Sequence, residues 1–321
     1  DEYLRFTAAR VRSNTLTAQV FDLKVFFTMV PKAPQEVTVT DVLSFIEAQR
    51  SPRRGGNVIR LADGEAGLAA ATIKRRLATV SSLFDYLFLR GICDRNPVPR
   101  SLGARHARPD GRGHGGRRGA PLVRAPRKLP RVLAPAEVNA LTGALRTDRD
   151  RAMVALMVHG GLRRCEVLGL RFEHVQVGDR RVFVADGKGG HQRLVPVADA
   201  FFTTLAAYLS SERPTEAIDD HVFVVLKGPN RGRPLTAAGL DEVMAGARGR
   251  AGLTHASCHE LRHTCFTRLR EAGMALEAIQ AQAGHASIET TRVYLPLSND
   301  WLAGEYQRAM AILDGLHEEE P

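Results

Sequence analysis

Residues 100–131 constrain this chain more than any other stretch: they hold ten Arg or Lys residues, six Gly and a single acid, Asp110. Gly this dense, with Pro among it, disfavours both helix and strand. The segment therefore reads as a linker between 1–99 and 132–321, and each flank is long enough to bury its own core. The 321-residue chain carries a formal charge of +10. Ten cations less one acid place +9 of it in the linker, so the flanks are nearly neutral. A charged strap of this kind is either simply solvated or suited to a phosphate backbone. In the second case the partner is a nucleic acid, and Arg105, Arg108, Arg112, Arg117, Arg118, Arg124, Arg127 and Lys128 are the contacts.

The first flank reads as all-helical. Leu16, Val20, Leu23, Phe27 and Val30 recur at three- and four-residue steps and predict a helix over 15–31, ended by Pro31. Thr40 reads as the cap of a second helix running to 49. A third is expected over 69–90, with Leu77, Val80, Leu83, Phe84, Leu87 and Phe88 inward and Gly91 as its stop. The second flank mixes elements. Strand-type residues at 181–184 and 193–197 flank a Gly-rich turn, a hairpin pattern. Helices are expected at 135–145, 148–159, 163–170, 199–212, 236–250, 258–272, 275–283, 287–294 and 299–314. The fold class is mainly α with a small antiparallel sheet, an α+β domain following an all-α bundle.

Five segments of the second flank hold groups suited to phosphoryl transfer. That chemistry needs charge stabilised on a pentavalent phosphate, an in-line nucleophile, and a proton for the leaving oxygen. Arg163 follows Gly160-Gly161-Leu162 at the start of a helix, and its planar fork can bind two phosphate oxygens. Lys188 lies at the hairpin tip and is one of only six lysines in the chain. His259 and Arg262, three residues apart, share a helix face. His285 follows Gly284, and Tyr294 lies nine residues on. Each residue alone is more often a surface or packing residue than a catalyst.

In combination, Gly-Leu-Arg-x-x-Glu, the hairpin lysine, His-x-x-Arg-His-Thr, Gly-His and the tyrosine nine residues later resemble the tyrosine recombinase (phage integrase) family. The resemblance covers the second flank, and the helical bundle with its linker looks like the family's core-binding domain. It implies a C-shaped two-domain clamp on double-stranded DNA. Arg163 and Arg262 would hold the scissile phosphate, His259 and His285 would hydrogen-bond it or move the tyrosine proton, and Lys188 would protonate the leaving 5′ oxygen. Tyr294 would attack to give a 3′-phosphotyrosine, with Glu166 supporting the site from behind. It further implies a homotetramer on DNA that exchanges a C-terminal helix, and it calls for no metal, ATP or other cofactor.

Three competing readings have distinct signatures. His259-Glu260-Leu261-Arg262-His263 literally matches the HExxH pattern of zinc metalloproteases, in which both histidines bind zinc and the glutamate is the base. A type IB topoisomerase would share the chemistry without exchanging partners. A non-catalytic DNA-binding protein could keep the fold alone. Cys93, Cys165, Cys258 and Cys265 form no CxxC pair and read as buried reduced thiols. No apolar run suggests a membrane span. The start, Asp1-Glu2-Tyr3, lacks a signal pattern and an initiating Met, which suggests a trimmed cytoplasmic, nucleoid-associated protein.

Overall fold

The computed structural model describes residues 1–11, 13–51, 67–99, 121–124, 131–187, 192–217 and 219–284. The chain divides into two units, Asp1–Arg127 and Lys128–Pro321.

In the first unit, α1 (Glu2–Ala8), α2 (Ser13–Met29), α3 (Val39–Arg50) and α4 (Ala70–Leu89) surround a core of Phe26, Val42, Phe45, Ile73, Val80 and Phe84. Phe26 meets Phe45 edge-on at 4.9 Å between ring centroids. Phe88, expected inward on α4, is exposed. The cap of α3 is Thr38, two residues before the expected Thr40. Thr38 Oγ1 accepts from Asp41 N at 3.3 Å, and Thr38 N donates to Asp41 Oδ2 at 2.9 Å. That reciprocal pair satisfies two amides at once, and Thr40 has no such acid three residues on. Helix α1 was not anticipated. It lacks a side-chain cap, and its Tyr3 and Phe6 rings lie 5.4 and 5.1 Å from Tyr86. Within the linker stretch, Val123 is buried against this core and Arg124 is exposed. Arg105, Arg108, Arg112, Arg117, Arg118, Arg127 and Lys128 lie outside the described residues.

The second unit is built on α6 (Asp148–His159), buried nearly all round through Met153, Val154, Leu156 and Met157. Directly against it lie α7 (Arg164–Leu168), α8 (Asp199–Ser211) and α10 (Cys258–Glu271); α5 (Pro135–Gly143) and α9 (Ala237–Arg250) pair with each other and share its core, and α11 (Leu276–Ala283) packs on α10. Glu212, just past α8, accepts from Asp148 N and Arg149 N at 2.9 and 3.0 Å and so closes the start of α6. A three-stranded antiparallel sheet runs β1 (Val175–Gln176), β2 (Arg181–Val184), β3 (Arg193–Pro196), with Val182 opposite Val195 and Val184 opposite Arg193. The expected hairpin is therefore present, and the two-residue β1 adds a third strand. The mainly helical fold with a small antiparallel sheet is as the sequence indicates. Among the described residues no helix is long and apolar enough to cross a membrane. The helices expected at 287–294 and 299–314 lie outside the described residues. Cys93 and Cys265 are buried as expected, but Cys258 is only half-buried and Cys165 is exposed, on the outward side of the short α7 with Arg164.

Candidate active site

The site begins where α6 ends. Gly160 closes that helix, and Gly161 adopts φ 67°, which L side chains rarely adopt. The ring of Phe266 lies where a Cβ of residue 161 would project, so the turn excludes any side chain on both counts. Leu162 is then buried, and Arg163 becomes the first residue outside α7. Sequence reasoning placed Arg163 at an anion-favouring helix start. The structure fills that role from within: Arg163 N donates to Glu166 Oε2 at 2.8 Å. Arg163 Nη1 donates to Glu166 Oε1, also at 2.8 Å.

Helix α10 brings Arg262 to the same carboxylate. Ser257 caps the helix through Glu260 N, and Thr264 Oγ1 accepts from Leu133 N at 2.9 Å, fixing the entry strand of the unit to it. Arg262 is 3% exposed. Its Nη1 donates to Gly161 O and lies 4.0 Å from Glu166 Oε2, and its Nη2 donates to Ala283 O at 2.7 Å. The guanidinium also covers the Phe266 ring at 4.7 Å. One side chain thus ties the turn after α6, helix α10 and the end of α11 together.

Arg193, which sequence reasoning passed over, completes the group. Its Nη1 and Nη2 donate to Glu166 Oε1 and Oε2 at 3.0 and 2.8 Å, and its Nε donates to Gln282 O at 2.8 Å. Burial pushes the Glu166 carboxyl up, yet the Arg193 and Arg163 contacts outweigh it and leave the carboxyl below its ordinary value. Three guanidinium groups therefore gather on one ionised, fully buried glutamate.

His259 lies on the exposed face of α10, and burial, then Arg262 and Arg163, lower its pKa. Its Nε2 is 2.8 Å from Nε2 of His263, with the rings nearly perpendicular. His263 is held down to about 4 by burial, then by His259 and Arg262. Both imidazoles are thus biased toward neutrality, and one ring nitrogen supplies the proton between them. The glutamate that a metalloprotease would use as its base is engaged elsewhere. Glu260 Oε2 accepts from Ser257 N at 2.8 Å and serves the helix cap. Among the described residues no group of three or more His, Cys, Asp or Glu side chains is placed to hold a metal.

Of the sequence candidates, Arg163, Glu166, His259 and Arg262 come together. Lys188, His285 and Tyr294 lie outside the described residues. Two further described residues border the cluster: β3 carries Arg193, and Gly284, in the left-handed conformation at φ 60°, closes α11 beside the same arginine.

Paired arginines on one buried carboxylate, in a mostly helical fold with a small sheet, make a site suited to an anion such as a phosphate. Comparison with known proteins gives the family. The Phage integrase family profile matches residues 131–300, more than half of the chain. The chain belongs to that family, that of the tyrosine recombinases. It is 28% identical over 314 residues to "Tyrosine recombinase XerC" of Serratia marcescens, covering 96% of this chain and 93% of the relative. Against XerC of Yersinia pestis the identity is 30% over 249 residues, covering 76% and 74%. Two solved structures share the fold. The XerH site-specific recombinase bound to palindromic difH substrate aligns with TM-score 0.66 at 19% identity, covering 93% of this chain and 80% of that one. A lambda integrase dimer bound to a COC′ core site aligns with TM-score 0.64 at 20% identity, covering 93% and 94%.

Proposed function

We propose that this tyrosine recombinase cuts and rejoins double-stranded DNA at specific sites through a 3′-phosphotyrosine on Tyr294. The observation that carries the reading is the meeting of Arg163 and Arg262, far apart in sequence, on the single Glu166 carboxylate. Two guanidinium groups fixed this way present a preorganised positive field to one phosphate, which is what a pentavalent transition state requires. His259, the nearest imidazole, is suited to hydrogen-bond the phosphate while neutral. His285 is assigned a like role or the transfer of the tyrosine proton, and Lys188 donates the proton to the leaving 5′ oxygen. The phosphotyrosine keeps the energy of the broken phosphodiester, so rejoining needs neither ATP nor metal.

On this reading residues 1–99 bind the core site, 100–131 straps the duplex through its arginines, and 132–321 is catalytic. The working form is a homotetramer on DNA that exchanges the C-terminal helix, as in integration or excision of a mobile element. The fold it shares with DNA-bound recombinases, one of them an integrase dimer on its core site, supports a DNA partner. A nicked suicide duplex carrying the recombination site tests the chemistry. A denaturation-resistant protein–DNA adduct is expected with the native chain and none with Tyr294→Phe. An undiminished adduct in that variant would refute Tyr294 as nucleophile.

A further inference from the structure

An anion lies directly beneath the paired arginines. The Glu166 side chain is 0% exposed. Left uncompensated, its charge would repel the phosphate assigned to Arg163 and Arg262. Arg193 supplies the compensation. It grips both carboxylate oxygens in a two-point fork and spends its remaining Nε on Gln282 O. Its side chain is 8% exposed and faces protein. Arg163 gives Glu166 one guanidinium nitrogen, and its Nε and Nη2 meet no acceptor among the described residues. Arg193 also joins three elements: β3, which bears it, α7 through Glu166, and the end of α11 through Gln282. At Gly284 a Cβ would come within 3.1 Å of Arg193 Cδ, so the turn closes tightly over this side chain.

We infer that Arg193 is a positioning residue of the site. It neutralises Glu166 so that the charge of Arg163 and Arg262 remains available to a DNA phosphate, and it fastens the hairpin strand and the Gly284 turn to that carboxylate. The inference rests on the reading of Arg163 and Arg262 as the phosphate clamp.

The groups around Glu166 set how its loss would show. Arg163 at the cap of α7, Arg193 on β3 and Arg262 on α10 face it. His259 and His263 follow on α10, α11 contributes the neutral Gln282, and α9 offers Asp241, paired outward to Arg164. Helix α6 ends in His159, kept toward neutrality by burial and then by Arg268. Without Arg193, Glu166 loses its strongest partner and its carboxyl rises toward the working pH range. Charged Glu166 then draws Arg163 and Arg262 onto itself. Protonated, it releases them, so the deficit shrinks as pH falls.

Single-turnover cleavage of a nicked suicide duplex between about pH 6 and pH 8.5 tests this, with each variant rate divided by the wild-type rate so that shared titrations cancel. Arg193→Met is expected to cleave at least about tenfold more slowly at the upper end, with duplex affinity within about twofold. Its deficit should narrow toward low pH, and the double variant Glu166→Gln/Arg193→Met should recover most of the rate. A pH-independent deficit without recovery in the double variant would mean ordinary packing and would overturn the proposal. So would wild-type rates in Arg193→Met while Arg163→Ala and Arg262→Ala are crippled. Wild-type rates in those two would overturn the clamp itself, and the role of Arg193 with it. Should Arg193→Met fail to fold, Arg193→Lys, alone and with Glu166→Gln, gives the same readout.

Discussion

Glu166 shows why single residues of this site cannot be valued one at a time. A buried carboxylate is tolerated only because its partners are buried with it, and removing one partner leaves an uncompensated charge. The same reasoning applies to the imidazoles. The pKa of His263 lies near 4 in the folded chain against an ordinary value near 6.5. Between these values the unfolded chain binds a proton that the folded chain refuses. Stability therefore falls as pH drops through this window, by at most about tenfold in the folding constant per pH unit. His259 shifts in the same direction and adds to the slope. Urea midpoints measured across the window should fall less steeply in His263→Asn than in the wild type, and identical slopes would contradict this account.

At the scale of elements, the Gly160-Gly161 turn does the placing. It ends α6, leads into α7 by way of Arg163 and offers its carbonyl to Arg262, so one turn bears on the placing of both arginines. Gly161→Ala must both hold a positive φ and displace the Phe266 ring. A loss of about 2 kcal/mol in urea unfolding is expected, with cleavage falling more than DNA affinity. Unchanged stability would mean the turn is more compliant than its geometry implies. Much of this level was legible beforehand. The α6 span matches the expected 148–159, and the structure shows why its ends are sharp: Thr147 caps it and Gly160 closes it. Arg163, Glu166, His259 and Arg262 are visible because their motifs, weak singly, together resemble the tyrosine recombinase pattern. Arg193 is not. It shares the inward face of β3 with Val195, but Leu194, half exposed, and Pro196 blur the alternation, so the strand's inner side could not be chosen from sequence. Helix α1 was missed for a related reason: its stability comes from rings packed on Tyr86, a long-range contact that local pattern does not encode.

For the whole molecule, charge and chemistry are separable. The linker's +9 is expected to supply affinity without sequence preference, whereas the arginine cluster supplies rate. Replacing Arg105, Arg108, Arg112 and Arg117 with Gln should reduce the slope of log affinity against log salt by about 0.9 for each residue that contacts a phosphate. The bound-state cleavage rate should barely change. A normal slope would remove the linker from the interface. The most direct test of the central claim, that Arg163 and Arg262 act on the charge of one scissile phosphate, replaces that phosphate with a neutral methylphosphonate in the suicide duplex. Arg163→Ala and Arg262→Ala should regain much of their lost cleavage on the neutral linkage, while Tyr294→Phe should not. Equal deficits on the charged and neutral linkages would show that the two arginines do not serve that phosphate.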